Sequence, residues 1–347
     1  MHCTPRISEL KSMRSFAMDN ALYRVLFFYL FLVGFSTGFS AQAISAQAIS
    51  AQPAPVEQKL LITYQKSQKF SQQLLDSLQK NISNAGFSVH LEIFNQQILR
   101  TFKSKKYSLI IAIGSKTTQS LLLGKIETPI FSVLMPRHLA VKLRSLYPNK
   151  NNWSSLLLDQ PIQRQLELIT SIAGKHSKTG VLLGPYTKEL KNALEQSAKA
   201  SEHTLFTETL TNTDQLTSSL KALSRKSDIL LTLPDPVIYN RKTIRGILLL
   251  SYRKKLPIIG FSQAYVKAGA IAAIYSEPAQ ISEQATGIIL DFFKHHKFHQ
   301  KEYLPDDFSV ALNKKVARSL GINLPEKEDI ITAIKNIEKR RKDAIVK

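Results

Sequence analysis

Short apolar runs alternate with helical periodicity along most of the chain, and this alternation constrains the fold more than any other feature. LLITY (60–64), YSLIIAI (107–113) and DILLTL (228–233) are typical of buried strands. Between the first two runs, apolar residues recur every four positions, at Phe70, Leu74, Leu78 and Ile82. Because strands that alternate with helices form βαβ units, the pattern predicts an α/β fold with parallel sheets.

The alternation is interrupted once, by the basic and aperiodic stretch 136–155. We interpret this stretch as a crossover between two similar lobes, and 347 residues are enough to give each lobe its own core. Ligands of open α/β sheets bind beyond the carboxyl ends of the strands. The sequence therefore predicts a binding cleft between the lobes.

The N-terminus has the pattern of a secretory signal peptide. Arg24 precedes an apolar stretch from Val25 to about Phe39, which is short for a membrane span. Ala41-Gln42-Ala43 fits the small-residue cleavage pattern, and Ala46-Gln47-Ala48 offers a second site. We predict a signal peptide over 1–43, cleavage within 43–51 and a low-complexity linker over 44–57; an uncleaved anchor is the alternative.

The chain is strongly basic, with a formal net charge of +21. Such a charge is typical of proteins that bind nucleic acid, anionic membranes or acidic ligands, although scattered lysines also form an ordinary solvated surface. Export argues against nucleic acid and leaves weak contact with an anionic membrane surface open. The only cysteine, Cys3, precedes the apolar stretch, so the exported chain has no disulfide.

Asp235 stands between two prolines directly after a buried strand, in LLTLPDPVIYN (230–240). Pro236 restricts Asp235 to extended geometry, and a carboxylate held there could pair with an ammonium or guanidinium group of a ligand. The alternative is a turn or helix-capping residue. Position alone leaves both interpretations open.

Two turns lie at equivalent places in the two halves. Gly114-Ser115 follows a strand and opens a helix, where backbone N–H groups bind carboxylates, but a plain turn fits equally well. Tyr186, in GPYT (184–187), could stack on a ligand or cap its lobe. Both turns are candidates for the ligand site.

No enzymatic or metal-binding motif is evident. The chain has no G-x-S-x-G, H-E-x-x-H, P-loop or G-x-G-x-x-G pattern. His295 and His299 share a helix face if the helix persists, with His296 beside them, but we find no cysteine or carboxylate that completes a site. A solvated helix end is favoured, and we predict no catalytic residues, no metal and no cofactor.

Four segments occur in an order that resembles the ABC transporter substrate-binding family, which includes tryptophan- and tyrosine-type binding proteins. Over residues 152–325 they are NNWSSLLLDQPIQRQLELI, DILLTLPDPVIYN, LPIIGFSQAYVKAGAIAAIYS and FSVALNKKVARSLGINLP. The resemblance extends over about 58–325. It implies a type I periplasmic-binding-protein fold, with two Rossmann-like lobes that close on a small solute in a hinged interlobe cleft.

The resemblance also implies ligand-binding residues. Its glycine turn corresponds to Gly114-Ser115, its carboxylate to Asp235 as a ligand clamp, and its polar residues after a strand to Ser262 and Gln263. The chain departs from the family at Met135-Pro136-Arg137, where Asp-Pro-Val is usual, and at Pro185-Tyr186-Thr187-Lys188-Glu189. Arg137 and Lys188 would favour an anionic ligand.

The sequence thus predicts a monomeric, periplasmic solute-binding protein that partners an ABC permease and binds an amino-acid-like or other small polar ligand. A sensor module for a membrane receptor or kinase, and an exported enzyme, are the alternatives. We assign 58–153 with about 277–302 to an N-terminal lobe, 154–276 with about 303–325 to a C-terminal lobe, and 326–347 to a charged helix.

Overall fold

The computed structural model describes residues 59–65, 69–94, 107–124 and 126–346. The predicted signal peptide, its cleavage site, the linker and Cys3 lie outside the described residues.

The first sheet has six parallel strands in the order β11-β5-β4-β3-β1-β2. Its strands are β1 (Lys59–Tyr64), β2 (Ser88–Ile93), β3 (Leu109–Ile113), β4 (Ile130–Met135), β5 (Trp153–Leu157) and β11 (Glu302–Tyr303). The helices of this lobe are α1 (Lys69–Asn84), α2 (Ser115–Leu123), α3 (Arg137–Leu146) and α9 (Pro278–His295). Helix α9 packs against α1 and buries Ile281, Ile289 and Phe292 in the core.

The second sheet has the order β12-β10-β9-β8-β6-β7, and β12 alone is antiparallel to its neighbour. Its strands are β6 (Lys178–Leu183), β7 (Thr204–Thr209), β8 (Ile229–Leu231), β9 (Ile258–Gly260), β10 (Ala272–Tyr275) and β12 (Ser309–Leu312). The helices of this lobe are α4 (Ile162–Ala173), α5 (Lys191–Ala200), α6 (Leu216–Leu223), α7 (Ile244–Arg253), α8 (Gln263–Ala268), α10 (Lys314–Ser319) and α11 (Lys327–Val346). The predicted fold, with two mostly parallel α/β lobes, is confirmed.

From the sequence we expected the stretch 136–155 to be an irregular crossover, and this expectation is wrong. The stretch contains the regular helix α3 and most of strand β5. Helix α3 was not predicted from the sequence, because it is short and only Ala140 and Leu143 form its buried face. Residues 154–157 and Tyr303 therefore belong to the first sheet rather than the second lobe, because β5 pairs with β4 and β11 pairs with β5.

The C-terminal helix α11 docks on the second lobe. Ile330 and Ile334 are buried in that lobe's core. Further along the helix, Glu338 pairs with Arg164 at 2.6 Å, and Arg341 pairs with Glu167 at 2.7 Å. The helix is therefore an integral part of the fold.

Across the ranges that the structure describes, no helix combines the length and the apolar character needed to cross a membrane.

Candidate functional site

A cavity of about 820 Å³ lies between the two lobes. The first lobe contributes side chains from α1 and from the segments that follow β4 and β5; these are Phe70, Gln73, Pro136, His138, Leu158 and Asp159. The second lobe contributes chiefly the segments that follow β8 and β9; these include Pro234, Asp235, Tyr239, Phe261, Ser262 and Gln263. The carboxyl ends of strands from both sheets thus form one concave, partly aromatic site.

Three of the six predicted ligand-binding residues line this cavity, namely Asp235, Ser262 and Gln263. Gly114, Ser115 and Tyr186 are not among its lining residues. Gly114 has a φ of 88° and precedes α2, as expected for a strand-to-helix turn. The Tyr186 ring packs 5.1 Å from the ring of His138, which does line the cavity. Ligand contact by all six residues stays a prediction.

The Asp235 carboxylate is bound by its own lobe. Its Oδ2 accepts hydrogen bonds from the backbone N–H of Tyr186 at 2.9 Å and from the Thr187 hydroxyl at 3.1 Å. Its Oδ1 accepts the N–H of Val237 at 2.9 Å, which forms an Asx turn. A Cβ at Gly184 would lie 2.5 Å from Oδ2, so only glycine fits there. Asp235, which is 1% exposed, joins the loops after β6 and β8 into one rigid wall.

The cavity is acidic although the chain is basic. Asp235, Asp159 and Glu277 line it, and Glu277 also forms a capping box at the start of α9. Burial raises the pKa of Asp159, although the backbone N–H of Arg137 donates to its carboxylate at 2.7 Å. Among the described residues, neither Lys nor Arg lines the cavity. Arg137 and Lys188, which the sequence analysis connected with an anionic ligand, do not line it.

Three buried polar atoms of the cavity lining have no hydrogen-bond partner among the described residues. They are His138 Nδ1, Gln165 Oε1 and the Tyr239 hydroxyl. Burial lowers the pKa of His138, and burial raises the pKa of Tyr239, so both groups are neutral near pH 7. Because buried polar groups are nearly always paired in folded proteins, these atoms are positioned to bind a ligand or ordered water.

Strained backbone just before His138 positions this residue in the cavity wall. Leu134, near the end of β4, has a φ of 62°, in the left-handed region that a leucine rarely adopts. The pairing of β4 with β5 shifts register between Ser132 and Met135. Such strain is concentrated at functional sites. The irregularity immediately precedes Pro136 and the first turn of α3, where His138 lies.

One chain of hydrogen bonds joins the three segments that cross between the lobes. Gln160, after β5, donates to the Ser276 hydroxyl at 2.7 Å, and Ser276, after β10, donates to the carbonyl of Asp307 at 2.8 Å. Arg164 supports the same region, because it donates to Gln160 Oε1 and to the carbonyl of Pro305, both at 2.9 Å. The three crossings are therefore held together by a single polar network beside the cavity.

Sequence reasoning missed most of the first-lobe residues of the cavity. Asp159 could have been found, because it ends the run SLLLD just as Asp235 follows LLTLP. Phe70 could have been found because it lies in the first turn of a helix that follows a strand. No pattern in the sequence indicates that His138 lines the cavity, since its position depends on the left-handed backbone of Leu134.

The model of the ABC transporter substrate binding protein family matches residues 90–333, well over half of the chain. A search of curated proteins found no match.

Solved structures share the fold at low sequence identity. A ligand-free, open substrate-binding protein with adhesive properties from Clostridium difficile has 19% identity and a TM-score of 0.63, and the match covers 78% of this chain and 97% of that one. An ABC domain from Streptococcus pneumonia in complex with L-Trp has 18% identity and a TM-score of 0.54, with 78% and 96% covered. A conserved domain protein from Vibrio cholerae has 21% identity and a TM-score of 0.55, with 80% and 98% covered.

Proposed function

Because the chain belongs to the family of ABC transporter substrate-binding proteins, we propose that it holds a small solute in the cavity between its lobes and delivers that solute to an ABC permease. The observation that carries the proposal is the 820 Å³ cavity with three unpartnered polar atoms in its wall. This volume is typical of sites for small organic ligands. The predicted signal peptide supports action in the periplasm.

The ligand carries an ammonium group and an apolar body. Asp159, Asp235 and Glu277 line the cavity, and no Lys or Arg of the described chain lines it, so an ammonium is attracted and a free carboxylate is not. Phe70, Tyr239 and Phe261 supply faces for the apolar body and for cation–π contact. An amino acid fits if its carboxylate is bound by neutral donors, and the L-Trp bound to the Streptococcus pneumonia relative supports this class.

The lobes close on the ligand by bending at the polar hinge formed by Gln160, Ser276 and Asp307. The three crossing segments are short, and their hydrogen bonds are local to the hinge, so each lobe moves as a rigid body. Closure buries the ligand against both walls and presents a changed surface to the permease.

The test is a thermal-shift screen followed by calorimetry on the purified protein. The panel contains amino acids, aromatic and aliphatic amines, dicarboxylic acids and sugars. A ligand at 100 times its dissociation constant stabilises the fold by about 2.7 kcal/mol. We expect hits among amino acids and amines and none among dicarboxylic acids, and we expect small-angle scattering to show a smaller radius of gyration with a hit bound.

The matched variants are Tyr239→Phe and Tyr252→Phe. Tyr239 lines the cavity, whereas Tyr252 is exposed on α7, outside it. Loss of one hydrogen bond should weaken binding by about tenfold in Tyr239→Phe and leave Tyr252→Phe unchanged. Binding of dicarboxylic acids alone would contradict the ammonium assignment. The absence of any ligand across the panel would contradict the binding function itself.

A further inference from the structure

Three potential metal ligands meet at the end of helix α9, on the first lobe. Asp291 and His295 are one helical turn apart, and His299 follows the helix. Asp291 Oδ1 lies 3.0 Å from His295 Nδ1, and Asp291 Oδ2 lies 3.1 Å from His299 Nε2. The ligand atoms all lie within 4.8 Å of one another. Asp291, four residues before His295, supplies a carboxylate that we did not find from the sequence.

The backbone that carries His299 is anchored on both sides. His296 ends α9 in the left-handed conformation, with a φ of 56°, which turns the chain back toward the helix. Phe298 then packs on Phe292 and Phe131, with ring centroids 4.6 and 5.7 Å apart. The carbonyl of Gln300 accepts the Ser154 hydroxyl at 2.7 Å. The approach of His299 to Asp291 is therefore fixed by the lobe's core.

The donor set and its spacing suit a transition-metal ion. Imidazole nitrogens are ligands of Zn²⁺, Cu²⁺ and Ni²⁺, whereas Mg²⁺ and Ca²⁺ prefer oxygen alone. Bonds of about 2.0–2.1 Å in a tetrahedral site place ligand atoms about 3.3 Å apart. Each imidazole nitrogen lies at about this spacing from one oxygen of the Asp291 carboxylate, at 3.0 and 3.1 Å, and one ligand atom from each residue lies within 4.8 Å of the others. The side chains are 39–46% exposed, so they have room to bring both imidazoles to one carboxylate oxygen.

The local charge also favours a cation. The C-terminus of a helix carries negative partial charge, and Asp291 adds a full charge beside it. Lys294 and Lys297 flank the cluster in the sequence, and their repulsion limits the expected affinity to the micromolar range.

We propose that Asp291, His295 and His299 form a binding site for one Zn²⁺ ion, with a fourth coordination position open to solvent. The site is separate from the interlobe cavity and does not depend on the solute-binding function. The alternative is hydrogen bonding alone: both imidazoles contact the Asp291 carboxylate, and His295 Nδ1 also lies 3.1 Å from the Asp291 carbonyl oxygen. The experiment distinguishes metal binding from this alternative.

The experiment titrates the purified protein, without a polyhistidine tag, with Zn²⁺ against a chromophoric chelator. We expect one equivalent to bind with micromolar affinity. His295→Gln and His299→Gln, which keep a hydrogen-bond donor, should each weaken binding by about tenfold or more. His296→Asn is the matched control: it removes an adjacent exposed histidine, suits the left-handed position and should leave binding unchanged.

Melting temperatures measured without metal verify that each variant is folded, and Mg²⁺ serves as a negative control ion. A wild-type protein that binds no Zn²⁺ equivalent would overturn the proposal. Binding that survives both His295→Gln and His299→Gln would also overturn it, because the metal would then lie elsewhere.

Discussion

The principal polar residues of the two cavity walls, Asp235 in the second lobe and His138 in the first, differ in how they are used. The Asp235 carboxylate binds two backbone N–H groups and a hydroxyl of its own lobe. His138 Nδ1 has no partner among the described residues, and neither has the Tyr239 hydroxyl, which shares the second-lobe wall with Asp235. The Asp235 carboxylate is thus satisfied within its own lobe, whereas the His138 imidazole and the Tyr239 hydroxyl are left unpaired. A residue's presence in the cavity wall therefore does not reveal whether it supports the fold or binds the ligand.

The largest effect is expected from Asp235→Ala. The change leaves the N–H groups of Tyr186 and Val237 and the Thr187 hydroxyl without their acceptor in a buried place. We expect the free energy of unfolding to fall by about 3 kcal/mol, measured by urea denaturation. Ser262→Ala, in the same wall, is the control and should change it by less than about 0.5 kcal/mol. Equal effects in the two variants would show that Asp235 supports the fold no more than another polar residue of the same wall.

A smaller effect, on binding rather than stability, is expected from His138→Leu. The substitution removes an unpaired buried nitrogen, so the free energy of unfolding should change by less than about 1 kcal/mol. The affinity for the solute found in the screen should fall by about tenfold, as measured by calorimetry. His90→Leu, on β2 and outside the cavity, makes the same change in the same lobe and should leave affinity intact. A variant that loses stability but keeps affinity would show that His138 supports the fold instead.

The smallest effect concerns pH. Burial lowers the pKa of His138, although Asp235 and Glu189 oppose this, and burial also lowers the pKa of His203 in the second lobe. The unfolded chain, with a histidine pKa of about 6.5, then binds protons more readily than the folded one. The free energy of unfolding therefore keeps its full value above about pH 6.5 and falls as the pH drops below that value.

Urea midpoints at pH 7.5 and at about pH 5.5 measure this decline. His138→Leu should reduce it, and a second change at His203 should reduce it further. An identical decline in the wild type and in His138→Leu would mean that the His138 ring is not kept neutral by the first-lobe wall.

The fold was predictable because it is determined by alternating periodicities that are visible over many residues. The same reasoning found Asp235, which follows a strand of the second sheet, whereas Ser262 and Gln263 came from the family resemblance; all three line the cavity. Position after a strand did not distinguish Gly114 and Ser115, which also follow a strand but do not line the cavity. The position of a residue after a strand identifies the edge of the sheet at which that residue lies. Which loops at that edge reach the opposite lobe depends on how the two lobes are joined.

Other features depend on contacts that no local pattern reveals. The position of His138 depends on a leucine in left-handed geometry, and the internal binding of Asp235 depends on a glycine about fifty residues earlier in the chain. Asp291 is a different case. Its spacing of four from His295 is plain in the sequence, but its relation to His299 requires the turn that His296 and Phe298 produce.

The three crossings between the lobes also determine the order in which the protein can fold. Helix α9 and edge strand β11 complete the first lobe, yet they follow almost the whole second lobe in the chain. The second lobe is likewise incomplete until β12 and α11, near the end of the chain, are present. Neither lobe is a continuous fragment, so a chain cut anywhere before residue 303 leaves two incomplete cores, each with apolar surface exposed. The lobe that begins the described chain reaches its native structure only when nearly all of the polypeptide is present.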